Sequence, residues 1–212
     1  MSSKEHLELK GTHALLSPSS YGWVNYSTEE QLISRLKSSY AQTIGTLTHE
    51  LAAKLILDRI RLSKTSKQVL QLYLAEHKIP EMVVDFDDLY SNLVNYVNDS
   101  ISMRMLPEQV FYYSDFCYGT VDAYSFKKNH LRIHDLKTGK LQAKMDQLEI
   151  YAALFCLQNK IKPDAIDIDL RIYQFSEVNV FVPAPQDISA IMDNIIEKDK
   201  FLTQFVAGGS YD

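Results

Sequence analysis

The chain has 212 residues, of which 46% are hydrophobic and 23% charged, and its formal net charge is -5. That length supports one sizeable core without requiring a second domain, and the composition excludes disorder over most of the chain. The negative charge argues against a protein that coats nucleic acid through a basic surface, but it is compatible with a site where a bound cation supplies local positive charge.

The first 26 residues are rich in Ser, Gly and Tyr, and Ser17-Pro18-Ser19-Ser20 ahead of Trp23 reads as irregular structure or a short turn-and-helix entry. Ser27-Thr28-Glu29-Glu30 fits a capping box, so a helix is predicted to start there. Leu32, Ile33 and Leu36, then Leu51, Ala52, Leu55, Ile56 and Ile60, repeat at helical spacing, with Gly45 as an interruption or a close-packing point. Further helices fit 65–77 and 85–102. From Gln109 the chain turns aromatic and β-branched, which predicts strands near 108–114, 119–127, 130–137 and 165–175. Helical patterns recur at 143–157 and 188–205. The order predicts an α/β fold with a helical N-terminal half and a mixed β-sheet flanked by α-helices, as a single domain over 1–212.

Cys117 and Cys156 are too few for a four-cysteine cluster and read as reduced thiols. MSSKEHLELKGTHALL lacks a continuous apolar core, and no run approaches the 18 or so apolar residues of a membrane span. The expectation is a soluble, cytoplasmic protein with no membrane partner.

Residues 118–151 carry the most chemistry: Gly119-x-x-Asp122, a turn at Lys128-Asn129, Asp135-Leu136-Lys137, then Gln147-x-x-x-Tyr151. Alternation puts Leu131, Ile133, Asp135 and Lys137 on one strand face. A two-residue turn at Lys128-Asn129 places Asp122 across from Asp135, with Cβ atoms roughly 5 Å apart. A three-residue loop without a bulge would put Asp122 on the other face. Like charges facing each other repel, and a divalent cation removes that cost while leaving positions for water and a phosphate. Lys137 can orient an attacking water or stabilise charge building on phosphorus. The chemistry indicated is phosphodiester hydrolysis.

Asp-x-Lys and Gly-x-x-Asp are each common by chance; their succession on adjacent strands, followed by Gln147 and Tyr151 one helical turn apart, is not. In this succession the chain resembles the PD-(D/E)XK nuclease superfamily, and within it the RecB-like branch that includes phage exonucleases. The matching residues are His49, Gly119 with Asp122, Asp135 with Lys137, and Gln147 with Tyr151. The segments around Leu16, Gly45 and Pro107 look like a phage-encoded group of that superfamily.

The resemblance implies a restriction-endonuclease-like fold and magnesium or manganese, without an iron–sulfur cluster. It implies that His49, Asp122, Asp135 and the Leu136 carbonyl hold metal, with Lys137 catalytic beside Asp122 and Asp135. Gln147 and Tyr151 would hold the substrate strand or the surroundings of Lys137, and Glu108 would assist from the preceding strand. The implied activity is a DNA exonuclease in recombination, repair or phage DNA metabolism. Its partners would be a recombinase, a single-strand-binding protein or a helicase, or further copies of the chain. The alternatives are a nuclease fold without turnover, serving as a DNA-binding or scaffolding protein, and an RNA-directed nuclease.

Other candidates read more plainly. His13, His77, His130 and His134 form no pattern, and alternation turns His134 away from Asp135. Ser17, Ser19 and Ser20 read as a hydrogen-bonded loop. Tyr112, Tyr113, Tyr118 and Tyr124 could stack on bases, with packing expected for most of them.

Overall fold

A computed structural model describes residues 9–208. Five α-helices and five strands follow in the order α1 (Glu29–Leu57), α2 (Gln68–Glu76), α3 (Phe86–Ser102), β1 (Leu106–Ser114), β2 (Cys117–Lys127), β3 (His130–Leu136), α4 (Asp146–Asn159), β4 (Asp167–Gln174), β5 (Glu177–Phe181) and α5 (Pro185–Val206). The sheet runs β1-β2-β3-β4-β5, antiparallel except for the parallel pair β3/β4. A parallel pair needs a long crossover, and α4 supplies it. No helix among the described residues is long and apolar enough to cross a membrane.

Apolar residues are buried on both faces of the sheet. On one face Leu47, Leu51 and Leu55 of α1, Leu70 and Leu74 of α2, and Leu93 and Val97 of α3 meet Ala123, Leu136 and Tyr173. On the other, Leu148, Ala152 and Phe155 of α4 and Ile188 of α5 meet Phe111, Val121, Leu131, Ile133, Leu170 and Ile172. Each fully buried Leu or Ile of these layers contributes about 1.5–3 kcal/mol by leaving water. The mixed sheet between helices, with a helical N-terminal half, is the architecture that the sequence predicts.

Local differences have local causes. The capping box is one residue later than predicted: Thr28 is the N-cap, and Gln31 Oε1 accepts from the backbone N–H of Ser27 (2.7 Å) and Thr28 (3.2 Å). Gln31 reaches back as a Glu would, so Ser27-Glu30 and Thr28-Gln31 compete on equal chemistry. Helix α1 runs unbroken through Gly45, while Leu32, Ile33 and Ile60 are exposed rather than core. Strand β5 was not expected: it is short, with no buried residue, and follows β4 through Phe175-Ser176, both at positive φ (55° and 60°). Tight hairpin turns favour Asn and Gly at such positions, so Phe-Ser hides the turn. The Ser17 segment is the turn-and-helix entry: Ser17 caps a short 3-10 helix, Pro18–Asn25, with Ser19 N–H donating to Ser17 Oγ (3.3 Å) and Trp23 Nε1 donating to the Ser17 carbonyl (3.1 Å).

Candidate metal centre and its flanking lysine

Lys128 and Asn129 form the tight turn between β2 and β3, both left-handed at φ 53° and 58°. The register runs from Lys127↔His130 to Ala123↔His134, and continuing it by one step sets Asp122 opposite Asp135. The paired ladder stops short of that step because β2 switches faces there. Val121 packs on the α4 side and Ala123 on the α1/α3 side, although strict alternation would put both on one face. Asp122 sits at the switch, and its Oδ2 accepts the Leu136 N–H at 2.9 Å. Leu136 therefore meets Asp122 through its N–H; in an extended strand its carbonyl points to the same side.

The neighbouring strand is distorted at the same level. Pro107↔Ala123 and Gln109↔Val121 pair, while Glu108 between them takes φ 52°, a conformation costly for a residue with a side chain. Glu108 then joins Asp122 and His49 of α1: one ligand atom from each lies within 4.8 Å of the other two. His49 Nδ1 is 3.3 Å from Asp122 Oδ2. Helix α1 can come this near because of Gly45, where a Cβ would lie 3.1 Å from Thr138 Oγ1 in the segment after β3. The three residues line an open cleft of about 850 Å³ between α1 and the β1/β2 pair, together with Lys54 and Thr120.

Asp135 stands outside that trio, and its side chain is almost wholly buried. Burial and the charge of Asp122 raise its pKa from 3.8 to about 6, against the pull of Lys137. The Lys137 ammonium lies 3.0 Å from Asp135 Oδ2. The contact is an ion pair outside hydrogen-bond geometry, so that oxygen is a buried acceptor with no hydrogen bond. Lys137 is held from its other side by Gln147 Oε1 at 2.9 Å. Gln147 Nε2 in turn lies 3.4 Å from the Tyr151 hydroxyl, which donates to the Thr120 carbonyl at 2.7 Å. These contacts tie Gln147, and through it Tyr151, to Lys137. Gly119 makes room for it, since a Cβ there would be 2.9 Å from Tyr151 Cε1.

The site is electrostatically frustrated. Burial pushes the His49 pKa down, but the Asp122 hydrogen bond and the charges of Asp122, Asp135 and Glu108 carry it above its ordinary 6.5. Burial and Asp122 raise Glu108. The pKa of the buried Tyr96 of α3 is raised, first by burial and then by the charges of Asp122, Asp135 and Glu108. Sequence reasoning missed Tyr96, and nothing local marks it. Glu108 was expected only as an assistant; its signal was its place across β1/β2 from Asp122. His134 is buried and held neutral, with a pKa near 3 from burial and the nearby Arg171, and it faces Ser100 and Tyr173, away from Asp135 as predicted.

Two carboxylates and an imidazole at this mutual distance fit a divalent cation. The oxygen donors suit magnesium, and the nitrogen suits manganese better. Asp135, with its buried unbonded oxygen, is an additional anionic group beside them. The sequence matches, over residues 13–205, the model of a family described as Protein of unknown function (DUF2800). The chain belongs to DUF2800. No curated protein and no solved structure matches this DUF2800 chain.

Proposed function

We propose that this DUF2800 protein is a divalent-metal-dependent DNA nuclease of the PD-(D/E)XK type, acting as an exonuclease. The observation that carries the reading is the convergence of His49, Glu108 and Asp122 on an open cleft, beside a buried Asp135 that holds Lys137. The succession of these residues along the chain, which resembles that superfamily, supports the same reading.

His49, Glu108 and Asp122 would hold the cation, with Asp135 adjoining. When bound, the cation would polarise a phosphoryl oxygen and favour an ionised nucleophile. Asp122 is aimed by the Leu136 N–H and by His49. Lys137 is fixed between Asp135 and Gln147, so its ammonium would need little reorganisation to stabilise charge building on a phosphate beside it. Helix α1 forms one wall of the open cleft, through Gly45, His49 and Lys54.

The test is digestion of end-labelled linear and covalently closed DNA in magnesium, manganese or EDTA, with Lys137→Ala beside the wild type. Divalent-dependent loss of linear DNA alone is expected, and Lys137→Ala should slow single-turnover cleavage about 100-fold or more while DNA affinity changes little, because one phosphate contact is a small part of the footprint. Cleavage that survives EDTA, or no cleavage of linear DNA with either metal, would sink the proposal. Digestion of RNA but not DNA would reassign the substrate.

A further inference from the structure

The four tyrosines of the β1/β2 hairpin separate into two pairs. Tyr113 and Tyr124 pack against the α4-side core. Tyr112 and Tyr118 do not: they are directly paired across the strands, 47% and 63% exposed, with ring centroids 6.1 Å apart and planes 27° from parallel. Phe111 and Val121 point to the α4 side, so Tyr112 and Tyr118 stand on the opposite face, the one on which α1 lies further along the strands. Among the described residues no helix covers this end, where Val110 is 54% exposed and Thr120 is exposed as well.

The position of this pair relative to the cleft decides its use. Tyr118, Thr120 and Asp122 are alternate residues of β2 on one face, and Thr120 and Asp122 both line the cleft. The four residues from Asp122 to Tyr118 span about 13 Å. A strand of stacked nucleotides at 3.4 Å per phosphate covers that in about four nucleotides. The Tyr112 hydroxyl donates to Asp115 Oδ1 at 2.8 Å, which fixes that ring before anything binds and so lowers the entropy cost of binding. With a net charge of -5 the chain has no overall basic coat, so contacts that do not depend on charge would add to the hold on a strand leaving the cleft. Aromatic stacking on unpaired bases is such a contact, and it is tolerant of sequence.

We propose that Tyr112 and Tyr118 form a stacking platform for the unpaired bases of a single strand whose backbone runs into the cleft, so that the substrate presents a single-stranded end. This rests on the nuclease reading of the cleft, and the test separates the two. Equilibrium binding to the full chain is measured in EDTA, where metal-dependent cleavage is off, with a labelled single-stranded oligonucleotide and a blunt duplex of equal length. Cleavage of tailed and blunt duplexes is then compared in magnesium or manganese. Loss of one stacked ring weakens binding about 5- to 150-fold, so the double variant Tyr112→Ala/Tyr118→Ala should lose at least about 10-fold in single-strand affinity with duplex affinity within about two-fold. Tyr118→Phe keeps the ring and should bind as wild type. Tyrosine-dependent binding without cleavage in any metal would keep the platform and overturn the nuclease. Cleavage with single-strand affinity indifferent to both alanines would overturn the platform alone and assign the exposed rings to a protein surface. Equal losses in the Phe and Ala variants would also overturn it, because stacking would not be the interaction.

Discussion

Replacing Asp135 by Asn should stabilise the metal-free protein at neutral pH. Asp135 is 3% exposed, and its pKa of about 6 against the ordinary 3.8 already includes the opposing attraction of Lys137. At 1.36 kcal/mol per pH unit, the ionised carboxylate costs the folded state about 3 kcal/mol. The sign follows from proton counting. Between pH 4 and 6 the folded chain holds more protons at Asp135 than the unfolded chain does, so stability falls as pH rises through that window, and the full cost is present above it. Asn has nearly the same shape and no charge. For a chain of this length 1 kcal/mol moves the melting temperature about 2–4 °C, so Asp135→Asn should melt about 6–12 °C above wild type at pH 7.5 in EDTA. The two should converge near pH 4. Manganese should then raise the wild type more than the variant, because the added cation offsets a charge that the variant lacks. A variant that melts below wild type at pH 7.5 in EDTA would refute the reasoning: the Lys137 ion pair would then outweigh burial and the repulsion from Asp122.

Two further predictions bear on the same site. Gly119→Ala places a methyl 2.9 Å from Tyr151 Cε1 and should displace the Tyr151–Gln147–Lys137 chain; a loss of cleavage rate much larger than the loss of thermal stability is expected, and a rate within two-fold of wild type would show that Tyr151 does not position Lys137. Because His49 holds its proton above its ordinary 6.5 and must release it to bind metal, calorimetric manganese affinity should climb with pH above 6.5; a profile flat from pH 6 to 8 would remove His49 from the ligand set.

What could be read in the sequence is what depends on short-range pattern. The two-residue turn at Lys128-Asn129 follows from period-2 alternation on either side and a residue tolerant of positive φ, and it fixes the register of β2 against β3 as far as Ala123 opposite His134. The amphipathic stretch 85–102 is legible for the same reason: its apolar residues recur at helical spacing, and α3 buries Leu89, Leu93 and Val97 along one stripe. The reach of α1 was less legible, because Leu32 and Ile33 keep the helical spacing with no partner layer beneath them.

The make-up of the candidate metal site could not be read in this way, and the reason is geometric. Alternation predicts a pairing of Asp122 with Asp135 only if β2 keeps one face inward along its whole length. The strand changes faces at Asp122, so that the carboxylate finds His49 on α1 while Asp135 is left with Lys137. Glu108 enters through a left-handed backbone turn that no local signal announces, since Glu is a poor residue for that conformation. Strain at Glu108, a buried unbonded oxygen on Asp135 and a Gly119 with no room for a side chain all occur within a few residues of one cleft. The first two are unfavourable for folding alone, and the third avoids a clash. The left-handed backbone at Glu108 brings its carboxylate to Asp122 and His49, the buried Asp135 holds Lys137, and Gly119 leaves room for the Tyr151–Gln147 contacts that reach that lysine.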